Sequence, residues 1–186
     1  MATSHVHNHS NGHTVFLSLG ANIGDRKNNL EQALQQLEKV IAIQAVSSLY
    51  ETEPIGEGGK PLSSDQEGSL LYFLNIACQG RTNLEPINLL TALQEIEASL
   101  GRRPSFRNAP RLIDIDILLY DNLQVILPQL VIPHPRMRER AFVLIPLAEI
   151  APLTVEPISG QTIQQLTLNV PGQRVVLVLN NSWKLP

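Results

Sequence analysis

LIDIDILLY, residues Leu112 to Tyr120, is the strand pattern that decides the fold. Isoleucine and aspartate alternate across residues 113–117, and alternate side chains of a strand share a face. We therefore predict that the isoleucines face a core. Asp114 and Asp116 then project together from the other face, with their Cα atoms ~6.5 Å apart.

Weaker patterns on both sides of this strand predict further elements. Apolar runs rich in strand-forming residues predict strands at 15–19, 43–50, 72–78 and 175–179. Apolar residues at three- and four-residue steps predict helices. These helices lie at 27–40, at 86–100 with Asn83 as N-cap and Gly101 as its end, at 136–149 after a Pro-rich connection over 128–135, and near Thr162.

The order strand–helix–strand–strand–helix–strand is typical of the ferredoxin-like βαββαβ core, here followed by a C-terminal extension. We therefore predict an α+β fold with a largely antiparallel sheet and with helices packed on one face of it. Such a fold does not by itself settle function.

Length and composition indicate one domain. The chain has 186 residues, 43% of them hydrophobic, so it can bury a core without a metal or disulfides. We expect residues 1–13, which hold four of the five histidines, to be a disordered tail and residues 14–186 to be the domain. The single cysteine, Cys78, lies in an apolar run, which favours a core residue in a reducing compartment.

The same composition excludes some classes of protein. A net charge of −3 argues against general nucleic-acid binding. No apolar run approaches the ~20 residues of a membrane-spanning helix. We therefore expect a soluble, cytoplasmic protein. We also expect a monomer that acts on small molecules.

Arginines cluster around the acidic strand. Seven of the ten fall between positions 102 and 140, a window that contains no lysine. Arginine suits bidentate recognition of phosphate or carboxylate, although scattered surface arginines would give the same count. The cluster comprises Arg102, Arg103, Arg107, Arg111, Arg136, Arg138 and Arg140.

The acid pair and the arginines together predict a chemistry. Two carboxylates on one strand face suit Mg²⁺, which takes one or two carboxylates plus substrate phosphates, whereas a pair of solvated acids is the alternative. Metal-holding acids beside phosphate-holding arginines are what phosphoryl transfer needs. His134, held between Pro133 and Pro135, is a candidate phosphate donor or a solvent-exposed loop residue.

A second group of residues suits a flat heterocycle. Asn75 lies two residues after Phe73, so both share a strand face, and an asparagine in an apolar strand needs hydrogen-bond partners. Phe73 and Phe142 could stack on either side of such a ring, or could be ordinary core residues. The Gly-rich loop at 56–69 is long enough to be a functional lid or a disordered insertion, and residues 102–110 form another loop that is polar and rich in arginine.

The chain resembles the 6-hydroxymethyl-7,8-dihydropterin pyrophosphokinases of folate biosynthesis over about residues 15–152. The matching motifs are specific in combination. They are Leu19 to Asp25, Ser47 to Gly56, Phe73-Leu74-Asn75, Gln94 to Glu97, Ala109 to Leu118, and Ile132-Pro133-His134-Pro135-Arg136-Met137 running to Phe142.

The resemblance implies transfer of the β,γ-pyrophosphoryl group of ATP to the pterin hydroxymethyl group, leaving AMP. It implies two Mg²⁺ ions on Asp114 and Asp116, catalytic roles for these acids with Arg111 and Arg140, and loops at 56–69 and 102–110 that close over both substrates. Implied ATP contacts are Gln94, Glu97, Arg107, Arg111, Ile117, His134 and Arg140. Implied pterin contacts are Thr52, Pro54, Ile55, Phe73, Asn75 and Phe142.

Two other functions fit part of the pattern. A metal-dependent nucleotide-sugar enzyme with an Asp-x-Asp pair would share Asp114 and Asp116 but would not need Phe73, Asn75 and Phe142 together. A ferredoxin-like regulatory module would bind a small ligand without turnover and would not need two acids flanked by arginines.

Overall fold

A computed structural model describes residues 12–54, 72–102, 111–170 and 172–179. The predicted loop at 56–69 lies outside these ranges, as do residues 103–110 of the predicted loop at 102–110, which include Arg107, and Ile55. The described chain contains eight strands and four α-helices. They are β1 His13–Ala21, α1 Arg26–Leu37, β2 Ala42–Val46, β3 Leu49–Thr52, β4 Phe73–Thr82, α2 Pro86–Ser99, β5 Asp114–Tyr120, β6 Val125–Leu127, β7 Leu130–Ile132, α3 Ala141–Ile150, α4 Ile163–Thr167 and β8 Val175–Leu179.

The main sheet has the strand order β5-β1-β4-β3-β8, and β2 also pairs with β4. Each of these pairings is antiparallel. The first four predicted strands therefore form the sheet of a ferredoxin-like core, and β8 adds an edge beside β3. This arrangement confirms the α+β prediction.

Helices cover both faces of the sheet, so the prediction that they share one face is wrong. Leu17 and Leu19 of β1 belong to the larger apolar cluster, which also contains residues of α1 and α2. Phe16, which directly precedes Leu17 in β1, belongs to a second cluster formed with α3 and α4. Because neighbouring side chains of a strand point to opposite faces, α3 and α4 pack on the face opposite α1 and α2.

The strand predicted over 43–50 is interrupted at Ser47 and Ser48. The Ser47 hydroxyl donates to the Ser48 carbonyl and accepts from the Ala77 backbone N–H. Ser48 donates to Glu149 of α3 through both its backbone N–H and its hydroxyl, at 2.9 and 2.7 Å. The Ser47 backbone N–H still donates to the Ala77 carbonyl at 2.9 Å, and the added side-chain bonds accompany the break between β2 and β3.

Two helices begin or end at residues other than those predicted. α1 ends at Leu37 rather than at residue 40, and α2 has Glu85 rather than Asn83 as its N-cap. Gly101 follows α2 with φ +93°, as expected for a glycine that ends a helix.

The segment predicted as a connection and third helix also differs. β6 and β7 form a hairpin across residues 128–129, within the predicted Pro-rich connection. A 3-10 helix, Met137–Glu139, precedes α3, which starts at Ala141 because Arg140 has extended backbone angles. The short helix near Thr162 and the strand Val175–Leu179 are confirmed.

The N-terminal boundary falls one residue earlier than predicted. His13 is the first residue of β1, and its ring Nδ1 lies 2.7 Å from the Asp121 carboxylate. Residues 1–11 of the predicted tail lie outside the described residues. Within the described ranges, no helix is both long enough and apolar enough to cross a membrane.

Candidate functional site

Polar side chains gather on the α3 face of the sheet, at one end of β1, β4 and β5. Gly20 of β1 lies opposite Asp114 on one side and opposite Asn75 on the other. Directly opposed residues of antiparallel strands share a face. A Cβ at Gly20 would lie 2.8 Å from the Asn75 amide oxygen, so only glycine fits between these two side chains. The sheet thus places an acid and an amide on either side of Gly20 and on one face.

The acid pair lies as the strand alternation predicts. Ile113, Ile115 and Ile117 are buried with at most 5% exposure, whereas Asp114 and Asp116 are partly exposed. Asp114 Oδ1 is 2.9 Å from Arg102 Nη1, and its Oδ2 is 2.8 Å from Arg111 Nη1. The two carboxylates therefore lie on one face of β5, where Asp114 contacts the guanidinium groups of Arg102 and Arg111.

Asp116 makes longer contacts than Asp114. Its Oδ2 lies 3.8 Å from His134 Nε2 and 3.9 Å from Arg140 Nη1. Burial and the neighbouring Asp114 raise the pKa of Asp116 to about 6, against the opposing effect of the arginines. A cation bound beside this carboxylate would favour its charged form and so lower its pKa again.

The donor set fits a hard divalent cation. Oxygen ligands suit Mg²⁺, which often takes only one or two carboxylates and completes its shell with substrate phosphates and water. No group of three or more His, Cys, Asp or Glu residues in the described ranges could hold a metal ion. The pair is therefore suited to a cation that arrives with a phosphate ligand rather than to a cage built from protein alone.

Arg111 is aligned by the turn after β1. Its backbone N–H donates to Asn22 Oδ1 at 2.7 Å, and the Asn22 N–H donates to the Arg111 carbonyl at 3.2 Å. This exchange ties the start of the acidic strand to residue 22. The sequence motif contains Asn22, but the sequence reasoning gave it no role.

Arg102 and Glu97 form the inner side of the acid cluster. Glu97 of α2 is 4% exposed, contacts Arg102 and accepts from the Ile115 N–H at 2.7 Å. Burial raises the pKa of Glu97 to about 7, although the Ile115 and Arg102 contacts act in the opposite direction. Arg102 thus bridges Glu97 and Asp114, a link that the clustering of arginines did not reveal.

His134 presents a neutral ring to Asp116. Burial and the nearby Arg140 and Arg136 lower the pKa of His134 to about 4. The Arg136 N–H donates to Nδ1 at 3.2 Å, so the proton of the neutral ring lies on Nε2, the atom that faces Asp116. His134 is therefore placed as a hydrogen-bond donor.

Arg138 and Arg140, which follow β7, contact different residues. Arg140 lies with Asp116, and its guanidinium carbon is 5.3 Å from the centre of the Phe142 ring. Burial lowers the pKa of Arg140. Arg138 instead points to the buried Glu156, 3.9 Å away, so the structure does not bring it to the acids.

A buried amide, that of Asn75, lies on the other side of Gly20. Asn75 Nδ2 donates to Thr52 Oγ1 at 2.7 Å, and the two residues are 2% and 1% exposed. Phe73 lies opposite Thr52 on the same face, and both Phe73 and Phe142 are only partly buried. Phe142 also packs against the second apolar cluster, and stacking by the two rings stays a prediction. Pro54 lies two residues beyond the end of β3.

Two residues with implied ATP contacts lie apart from the carboxylates. Ile117 is buried in the larger apolar cluster, on the face of the sheet opposite Asp116. Gln94 is exposed on α2, one turn before Glu97. Their roles stay predictions, and for Ile117 only its backbone remains available to this face.

A family comparison accounts for this combination of residues. The family model described as 7,8-dihydro-6-hydroxymethylpterin-pyrophosphokinase (HPPK) matches residues 16–152. The chain belongs to the HPPK family. The match includes the HPPK acid pair, both aromatic residues and His134, but it ends before α4 and β8.

Curated HPPK relatives share about 40% of their residues with the chain. The 2-amino-4-hydroxy-6-hydroxymethyldihydropteridine pyrophosphokinase of Bacillus subtilis is 42% identical over 154 residues, which are 81% of this chain and 86% of that protein. The Dictyostelium discoideum folic acid synthesis protein FOL1 is 40% identical over 158 residues, 85% of this chain but 22% of that protein. The chain thus spans most of some HPPK relatives and about a fifth of others.

Solved HPPK structures share the fold. A Plasmodium falciparum HPPK-DHPS triple mutant superposes with a TM-score of 0.64 and 19% identity, covering 85% of this chain and 43% of that one. A second P. falciparum HPPK-DHPS structure, of a single mutant, also gives a TM-score of 0.64, covering 87% of this chain and 46% of that one. The α+β architecture is therefore that of HPPK structures.

Proposed function

We propose that the chain transfers the β,γ-pyrophosphoryl group of ATP to the hydroxyl of 6-hydroxymethyl-7,8-dihydropterin, releasing AMP, in folate biosynthesis. The observation that carries this proposal is the row Asp114–Gly20–Asn75, which puts a cation-binding acid and a buried amide side by side. Phosphate chemistry on one side of Gly20 and recognition of a heterocycle on the other match a two-substrate transfer. Membership of the HPPK family supports the same reaction.

The triphosphate would lie over Asp114 and Asp116, on one side of Gly20. Asp114 and Asp116 would hold Mg²⁺, with two ions expected, and bound there the metal would supply neutralisation of triphosphate charge. Arg111 and Arg140 lie beside the acids, where their guanidinium groups can take phosphate oxygens bidentately. His134 Nε2 would donate to the same group. Gln94, Glu97, Arg107 and Ile117 complete the proposed ATP contacts.

The pterin would lie over the amide side. The Asn75 amide and the Thr52 hydroxyl are already hydrogen-bonded to each other, so their remaining donor and acceptor positions are fixed in direction. Phe73 and Phe142 would stack on the ring from opposite sides. Pro54 and Ile55 complete the proposed pterin contacts.

The transfer needs no covalent enzyme intermediate. The substrate hydroxyl oxygen forms a bond to the β-phosphorus and gives up its proton to water. The bond from that phosphorus to the α–β bridging oxygen breaks, and AMP leaves with that oxygen. The chain's own contribution is to align the two substrates and to stabilise charge on the transferring group. Arg111 and Arg140 would stabilise that negative charge, while the Asn75 amide and the Thr52 hydroxyl would orient the pterin and its hydroxymethyl group.

The assay is incubation with ATP, Mg²⁺ and hydroxymethyldihydropterin, followed by separation of the nucleotides. We expect AMP and the pyrophosphorylated pterin in equal amounts, with no AMP when the pterin is omitted. ADP as the product would contradict pyrophosphoryl transfer, and turnover with a nucleotide sugar would favour the metal-dependent nucleotide-sugar enzyme. Pterin binding without turnover would favour the regulatory module.

The cytoplasmic location and the monomeric state are parts of the same proposal. Cys78 is fully buried, and burial raises its pKa to about 12, which fits an unreactive core thiol. Light scattering coupled to size exclusion tests the monomer, for which the expected mass is 20.6 kDa.

A further inference from the structure

The backbone N–H of Phe142 is held by a side chain from near the end of the described chain. Phe142 is the second residue of α3, so its N–H has no acceptor within the helix. The N-cap residue, Arg140, provides no side-chain cap. Gln173 Oε1 accepts from the Phe142 N–H instead, at 3.2 Å. The orientation of the first turn of α3 thus depends on a residue 31 positions later.

The amide nitrogen of Gln173 binds Glu53, the residue that follows β3. Gln173 Nε2 donates to the Glu53 carbonyl at 3.0 Å. The next residue, Arg174, donates its backbone N–H to Glu53 Oε1 at 2.8 Å. Glu53 lies between Thr52 and Pro54, so one glutamine amide connects Phe142 to this segment.

Pairing of β8 with β3 determines where Gln173 lies. Val175 is paired with Thr52, and the chain enters β8 beside the end of β3. Gln173, two residues earlier, therefore reaches past Thr52 toward α3. The family match ends at residue 152, so this connection comes from a part of the chain that the family model does not cover.

We propose that Gln173 is a positioning residue for the heterocycle site, setting the distance between the Phe142 ring and the Thr52–Pro54 segment. The proposal rests on the proposed function, in which both elements contact the pterin. A primary amide carries a donor and an acceptor on one planar group, so a single side chain can satisfy an orphan N–H and a strand-end carbonyl together. An apolar side chain of similar size would lose both bonds.

The test compares Gln173→Leu with the wild-type chain and with Gln164→Leu, a matched change on the exposed surface of α4. We expect Gln173→Leu to raise the KM for the pterin about tenfold, which corresponds to about 1.4 kcal/mol. The KM for ATP and the kcat at saturating pterin should stay within about twofold. Gln164→Leu should leave all three constants unchanged.

Amide hydrogen exchange, followed by NMR, provides a readout that does not depend on turnover. The Phe142 amide should be protected in the wild-type chain and should exchange about tenfold faster in Gln173→Leu, if one net hydrogen bond is lost. The neighbouring amides later in α3 should keep their protection. An unprotected Phe142 amide in the wild-type chain would overturn the proposal.

Two kinetic outcomes would also overturn it. An unchanged pterin KM would show that the amide does not position the site, and equal rises in both KM values with a lower Tm would show general loss of structure. If Gln173→Leu does not fold, Gln173→Glu takes its place, because it keeps the acceptor for Phe142 and loses the donor to Glu53. A wild-type pterin KM for that variant would contradict a two-ended connection.

Failure of the proposed function gives a different result from failure of this inference. A wild-type chain that makes no AMP with the pterin refutes the reaction, whatever Gln173 does. A wild-type chain that makes AMP, together with a Gln173→Leu variant of unchanged pterin KM, leaves the reaction standing and refutes the positioning role.

Discussion

The two faces of the central sheet are built from the same strands but differ in what covers them. On one face, α1 and α2 pack over Leu17 and Leu19, which are fully buried. On the other, α3 covers Phe16 and Leu118, and the strands continue past it to Gly20, Asp114 and Asn75. One face of these strands therefore carries the larger apolar cluster, whereas the other carries the second cluster together with the residues that we propose to bind substrate.

Helix length explains the difference. α3 has ten residues and spans about 15 Å, whereas the nine-residue β1 spans about 30 Å. α3 therefore spans only part of the strands on its side, and the polar side chains lie beyond its first turn, which contains Phe142. Of these side chains, Asn75 and Thr52 are buried, whereas Asp114 and Asp116 are partly exposed. We call the α1–α2 side of the sheet the closed face and the α3 side the open face.

Leu17→Ala should break the closed face. It removes a fully buried side chain from the larger cluster, and we expect a loss of about 2–5 kcal/mol in the free energy of unfolding, measured by urea denaturation. The kcat of the folded fraction should stay within about twofold. Leu168→Ala, at a leucine that is 81% exposed, is the control and should be near neutral. A large kcat loss with normal stability would show that the two faces are not separable.

Asp114→Ala and Asp116→Ala should break the open face. Each removes a carboxylate that would hold cation and triphosphate, so kcat should fall about 10²–10³-fold while the pterin dissociation constant changes little. Thermal melting checks that the variants fold. Glu31→Ala, which removes an exposed acid paired with Lys27 at 3.5 Å, is the matched control. Near-wild-type turnover at saturating Mg²⁺ would place the metal site elsewhere.

Arg111→Ala and Arg140→Ala should sharpen the comparison within the open face. Loss of a charge-assisted contact is worth about 1.5–3 kcal/mol in turnover, and Lys at either position should rescue only in part because it lacks the two-pronged geometry. Arg138→Ala removes the same charge from the same segment but leaves the acids untouched, since Arg138 points to Glu156. Equal losses in all three alanine variants would indicate an effect of net charge.

Phe142→Ala should have the smallest effect, confined to the amide side of the open face. Stacking on one aromatic ring contributes about 1–3 kcal/mol for a nucleobase, and a pterin presents a comparable surface. We expect weaker pterin binding with nearly unchanged ATP affinity, measured by titration of each ligand. Phe16→Ala, under α3, should instead lower stability. Equal losses for both ligands in Phe142→Ala would indicate a core role.

The local alternation of LIDIDILLY was sufficient to predict the acid pair and its apolar opposite face. Strand order followed from the order of elements, because few topologies suit βαββαβ. The interruption at Ser47 and Ser48 could not be predicted, since it depends on Glu149, about a hundred residues away. The pairing of Arg138 with Glu156 and the Gln173 amide bonds are likewise long-range contacts, for which spacing along the chain carries no signal.

The place of β8 in the sheet has a consequence for synthesis of the chain. Until β8 is made, β3 is an edge strand with unpaired backbone N–H and C=O groups, which can pair with another chain. About 25 residues separate the end of α3 from the start of β8, which is about 1–5 s at usual translation rates. The nascent chain thus exposes the edge of β3 during that interval. Pairing of β8 with β3 then covers this edge and places Gln173 beside Phe142 and Glu53.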